Sequence, residues 1–88
     1  MNIDMKYNMN ADDFKQEVIR MCMLHVPLPK EDWANEVCSM GICEEYEPNK
    51  DNILMATFKV LSKSSLLSQD DRDYYNIVGR AKWTSSTV

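Results

Sequence analysis

Pro27 and Pro29 narrow most sharply what this chain can become. Each fixes φ at about −65° and lacks a backbone N–H, so no regular helix runs through them. On both sides, the apolar residues keep helical spacing. Upstream, Phe14, Val18, Met21, Cys22 and His25 recur three or four apart, with Ile19 and Met23 widening the stripe. Asn10 stands where an N-cap is wanted, and Asp13 falls in the first turn, where a carboxylate offsets the helix dipole. Downstream, Pro29 suits a first helical position and Trp33, Val37 and Met40 line one side. Gly41 then occupies a left-handed C′ position, from which Ile42 can fold back on Val37. These signals predict helices at about 11–25 and 29–40, paired as an antiparallel hairpin.

Beyond Gly41 the rhythm shortens to two. Tyr75, Ile77, Gly79, Ala81 and Trp83 alternate with largely polar neighbours, and a helix would put Gly79 in its interior. In "ILMATFKVL" the even positions Leu54, Ala56, Phe58 and Val60 are all apolar, whereas the odd positions are mixed. "ICEEYE" supplies a weaker extended segment, joined to the next by the turn-rich "PNKDN". The expected fold is therefore α+β: the two-helix hairpin packed on a three-stranded antiparallel sheet, with strands at about 42–47, 53–61 and 74–84. The rival is an all-α four-helix domain, in which Asp51 caps a helix through Leu61 and Ser68 with Asp71 begins another.

Eighty-eight residues make a single domain, 1–88, with residues 1–9 and 85–88 expected to be flexible. At 44% hydrophobic and 27% charged residues the composition is that of a globular chain. The longest apolar runs, "MCML" and "ILMA", are far too short to span a membrane. "MNIDMKYNMN" lacks the cationic start and apolar stretch of a secretory leader. Three cysteines, an odd number, fit a disulfide framework poorly, so a reducing, intracellular, cytoplasmic setting is expected.

The cysteines and the single histidine raise a metal question. They run Cys22-x2-His25-x12-Cys38-x4-Cys43, a legal zinc donor set. An antiparallel hairpin, however, separates the first pair from the second, and Cys22 and Cys38 fall inside apolar stripes where a free cysteine acts as a small hydrophobe. No metal or other cofactor is expected.

Catalysis has little support. One histidine and two glycines provide neither a nucleophile–base–orienter set nor a phosphate loop, so the chain reads as a non-enzyme. A helix-turn-helix at Gly41 would aim Glu44, Glu45 and Glu47 at phosphates, and a net charge of −4 argues against nucleic acid generally. An alternative places Thr57, Lys59, Arg80 and Lys82 on an outward sheet face, with Tyr74 stacking on a single strand, in a domain that zinc could stabilise. Apolar surface that the sheet leaves uncovered points instead to protein binding. The expected contacts are Ile53, Met55 and Leu61 on the outward side of the sheet, and Leu66 and Leu67 in the otherwise polar connection "SKSSLLSQDD", rimmed by Glu44, Glu45, Asp70 and Asp71. The expected role is that of a small inhibitor, adaptor or self-associating accessory protein, of the kind viruses and mobile elements use. Its partner would be another protein or a second copy, with no membrane involved.

Overall fold

A computed structural model describes the backbone of residues 9–87 and the side chains of residues 9–81. Five helices are present among the described residues: α1 (Ala11–His25), α2 (Lys30–Ser39), α3 (Ile42–Glu45), α4 (Lys50–Lys63) and α5 (Gln69–Thr87). None of these residues forms a β-strand. The expected three-stranded sheet is therefore overturned, and the domain is all-helical. Of the ends expected to be flexible, 1–9 and 85–88, residues 1–8 and 88 lie outside the described residues, Met9 bonds to Pro48 through its backbone, and 85–87 belong to α5.

The N-terminal half forms as its local chemistry dictates. Asn10 Oδ1 accepts from Asp13 N at 2.7 Å, satisfying one of the first-turn donors of α1. Pro29, expected as the first helical residue, is the N-cap of α2, so the helix begins one residue later, at Lys30. Gly41 takes φ of 66°, and its N–H bonds to the Cys38 carbonyl at 3.1 Å. That left-handed residue ends α2 and turns the chain directly into α3.

Two features of the C-terminal half explain why a two-residue rhythm there is helical. Thr57, expected on a solvated face, is fully buried, and its hydroxyl donates to the Ile53 carbonyl at 2.7 Å, so a polar residue enters the core at little cost. Gly79, which argued against a helix, is buried in α5 because Phe58 presses on it; a Cβ there would lie 3.1 Å from Phe58 Cβ. The cap signals are also present. Asn52 N donates to Asn49 Oδ1 at 3.0 Å ahead of α4, and Asp71 N to Ser68 Oγ at 3.2 Å ahead of α5.

Helix α1 is central, packing on α2 along one flank and α4 along another, while α5 returns along α4. Met9 N donates to the Pro48 carbonyl at 2.9 Å, so α1 and α4 begin side by side. The core joins Phe14, Val18, Ile19 and Cys22 of α1 to Trp33 and Val37 of α2, Ile42 of α3, and Ala56, Phe58, Val60 and Leu61 of α4. Trp33 is fully buried, and its indole N–H reaches the Val26 carbonyl at 3.0 Å, closing the proline-bearing turn over the core. The fold extends 45 × 34 × 20 Å, so every helix keeps a face near solvent.

Candidate functional site

A groove of about 470 Å³ runs between α1 and α4, lined by Met9, Glu17, Arg20, Met21, Lys50, Ile53 and Leu54. Its origin is helical geometry. Residues 14, 18 and 22 of α1 turn into the core, which rotates 17, 20, 21 and 24 toward the open flank. The floor is methionine and aliphatic carbon. Arg20 Nη2 bonds Glu17 Oε1 at 2.8 Å, one turn apart on the rim. Leu24 follows Met21 by one turn and is 68% exposed, and Leu54 is 39% exposed. Methionine side chains are flexible and polarizable, which suits a surface that must fit an imperfect partner.

A second depression, of about 240 Å³, is lined by Tyr46, Phe58, Lys59, Ser62, Lys63, Tyr75, Asn76 and Arg80. Lys59 Nζ bonds Glu45 Oε2 at 3.0 Å, and that bond holds the ammonium above its ordinary pKa. Burial pushes the hydroxyls of Tyr46 and Tyr75 up, so both stay protonated donors. Tyr75 also joins His25 and Phe58 in an edge-on aromatic group, with centroids 5.4 Å apart for His25–Phe58 and 5.7 Å for His25–Tyr75.

The expected binding residues do not converge. Ile53 is half-buried and lines the groove, and Met55, on the same helix, is 38% exposed. Leu61 and Leu67, expected outward, are buried in the core. Leu66 is 38% exposed, but it sits in the turn beyond the far end of α4, roughly 15 Å or more along the axis from Ile53 at 1.5 Å per residue. Glu44 and Glu45 are exposed on α3, and Asp70 and Asp71 on the first turn of α5. Met9, Met21, Leu24 and Leu54 were missed. The signal for Met21 and Leu24 was their i, i+3 spacing beside Glu17 and Arg20, off the 14–18–22 line.

The four candidate metal donors do not form one site: Cys38 and Cys43 line a common pocket that neither Cys22 nor His25 lines. Cys22 is fully buried, and burial alone pushes its thiol up to about 12. His25 is exposed and stands edge-on to Phe58 and Tyr75. Cys38 is exposed and its sulfur accepts from Lys15 Nζ at 2.7 Å, while half-buried Cys43 points toward the Ala11 carbonyl at 3.9 Å. Among the described residues, no three His, Cys, Asp or Glu side chains come together in a way that could hold an ion. None of the described helices is long and apolar enough to cross a membrane. Comparison with protein-family models, with characterised proteins and with solved structures finds no match to this chain.

Proposed function

We propose that this domain is a non-enzymatic protein-binding module, an inhibitor or adaptor that seats an amphipathic helix of another protein, or of a second copy, in the α1–α4 groove. The observation that carries the reading is the groove itself: Met9, Met21, Ile53 and Leu54 form an open apolar floor with Glu17, Arg20 and Lys50 at its edge, and exposed Leu24 stands one turn beyond Met21 on the same helix. Contiguous apolar surface rimmed by charge is the usual mark of an interface, and a helix laid in such a groove reads the rim charges for register. Covering the exposed parts of Leu24 (68%) and Leu54 (39%) would contribute about 1.6–3.2 kcal/mol, scaling ~1.5–3 kcal/mol for a whole side chain.

The test is Leu24→Asp combined with Leu54→Asp. Leu24 is mostly exposed and Leu54 partly so, so helicity should be retained with a modest fall in melting temperature while association falls at least tenfold. Association is read as capture of specific proteins from the source cells and as self-association by sedimentation. A folded double variant that captures and associates as the parent does would refute the groove.

A second reading rests on a separate observation. Lys59, Lys63 and Arg80 line one depression with Tyr46 and Tyr75, an arrangement that suits phosphate contact plus base stacking. Lys59 and Arg80 were also paired in the sheet alternative; the side chain of Lys82 lies outside the described residues. This reading requires salt-sensitive retention of single-stranded oligonucleotides that Lys63→Ala with Arg80→Ala removes. No retention at low salt would exclude it.

A further inference from the structure

On the flank of α1 away from the groove, Lys15, Val37, Cys38, Cys43 and Glu44 line a shallow pocket of about 230 Å³. Cys38 lies in the last turn of α2 and Cys43 in the first turn of α3. Left-handed Gly41, between them, reverses the chain and brings the two cysteines to one pocket. Lys15 reaches across from α1 to donate to Cys38 Sγ at 2.7 Å. We propose that Cys38 and Cys43 are a peroxide-sensitive thiol pair, with Cys38 the attacking sulfur, Cys43 the resolving one and Lys15 the positioning cation.

Three observations assign the roles. Cys38 is exposed, so a small hydroperoxide reaches it without any opening of the fold, and a cation stands against its sulfur. Cys43 is half-buried, and burial, then the neighbouring Glu44 carboxylate, raises its thiol, which keeps it protonated and out of the first step. Cys22 is enclosed by core side chains and takes no part.

In the first step the Cys38 thiolate attacks one oxygen of the hydroperoxide. An S–O bond forms and the O–O bond breaks. Cys38 becomes a sulfenic acid and the other oxygen leaves as hydroxide or alkoxide, next to the Lys15 ammonium that offsets its charge, and takes up from solvent the proton that Cys38 released on forming its thiolate. In the second step the Cys43 sulfur attacks the sulfenic sulfur. The S–S bond forms, the S–O bond breaks, and the leaving hydroxide takes the Cys43 proton to become water. Two thiols and one hydroperoxide thus give a disulfide, an alcohol or water, and a further water; two electrons pass from the sulfurs to the peroxide.

The experiment treats the reduced full chain with hydrogen peroxide and follows intact mass and cross-linked peptides. The parent should lose two hydrogens, about 2 Da, with the bridge mapped to Cys38–Cys43 and Cys22 alkylated only after unfolding. Cys43→Ser should stop at a Cys38 sulfenic acid that a dimedone-type reagent traps. Lys15→Met should slow Cys38 oxidation about tenfold at neutral pH, with Lys15→Arg restoring most of the rate, a pattern that a merely structural lysine would not produce. Three outcomes would overturn the proposal: no Cys38–Cys43 bridge in a chain of unchanged helicity, an unaltered rate in Lys15→Met, or a Lys15–Cys38 adduct carrying one added oxygen in place of the disulfide.

Discussion

Replacing Gly79 with alanine sets two effects of known size against each other. On propensity alone the change should help, since a glycine inside a helix costs roughly 0.5–1 kcal/mol relative to alanine. Packing opposes it. The new Cβ would stand 3.1 Å from Phe58 Cβ, 3.5 Å from Cγ and 3.6 Å from Cδ1. Cβ is the first atom off the α4 backbone, so no change of rotamer moves it; α4 and α5 must separate by a few tenths of an ångström. Phe58 is 2% exposed, and its ring is bounded by His25 at 5.4 Å and Tyr75 at 6.1 Å, which leaves little slack. Overpacking of this kind costs about 1–3 kcal/mol. The difference is a net loss of roughly 0–2.5 kcal/mol, centred near 1, which for a domain of this size lowers the melting temperature by about 4–8 °C.

Thermal and urea unfolding followed by far-ultraviolet circular dichroism would measure the change. Ala81→Gly is the matched control: the same helix, an exposed position, and an expected loss of about 0.5–1 kcal/mol from propensity alone. Gly79→Val should cost more than Gly79→Ala, because its branches extend further toward Phe58. If Gly79→Ala instead stabilised the domain by the propensity amount, α5 would not be pressed on Phe58. The reason given for a glycine in mid-helix would then fail, and with it the close α4–α5 hairpin.

Asn10→Ala and Asn49→Ala each remove a side chain that accepts a first-turn N–H, at 2.7 and 3.0 Å, and each should cost about 1 kcal/mol in urea unfolding; no loss would mean water replaces the cap freely. Cys22 makes stability depend on alkaline pH, because burial pushes its thiol from 9.0 to about 12. Below about pH 9 the thiol holds its proton folded and unfolded; above it only the unfolded chain gives the proton up, so stability falls by about 1 kcal/mol per pH unit until the folded pKa is passed. Burial of Tyr46 and Tyr75 acts in the same direction. Urea unfolding between about pH 8 and about pH 10 should therefore show a steeper decline for the parent than for Cys22→Ala, and parallel declines would mean the thiol is solvated.

The N-terminal half was legible because its signals are local. Asn10, Pro29 and Gly41 act within a turn of themselves, and the 14–18–22 stripe is apolar throughout, so α1 was placed to the residue and α2 to within one at each end. The C-terminal half was not, because its inward positions include Thr57, Ser64 and Gly79, with Arg72 and Asn76 half-buried beside them. Polar and absent side chains there blur the 3.6-residue period and leave a spurious two-residue one. What makes those residues admissible is tertiary: a partner ring above Gly79, and a carbonyl one turn back for Thr57. Asn49 was read as part of a turn, although it is the cap of α4. Of the expected interface, Ile53 reached the groove, but from a helix, not from the far side of a sheet. Leu61 was placed outward because the sheet demanded it, and Leu67 because it stood in an otherwise polar connection; both are buried.

Helix α1 also separates the two proposed activities. Lys15 and Met21 are six positions apart, about 120° around the axis at 3.6 residues per turn, so one turns toward the α2–α3 side and the other toward α4. A bridge between Cys38 and Cys43 forms within a pocket bordered by α2 and α3 and leaves Met21, Leu24, Ile53 and Leu54 where they are. Charge introduced at Leu24 and Leu54 likewise leaves Lys15 against Cys38. The groove variant and the thiol variants therefore report on different surfaces, and failure of one carries no information about the other. Coupling between them would have to pass through α1 itself, by a shift of the helix when Lys15 is released from Cys38 Sγ. Close packing of Phe14, Val18, Ile19 and Cys22 opposes such a shift, since buried side chains cannot slide without opening a void. Peroxide treatment should accordingly leave groove binding unchanged, and a loss of binding on oxidation would show that α1 is not the rigid divider its packing implies.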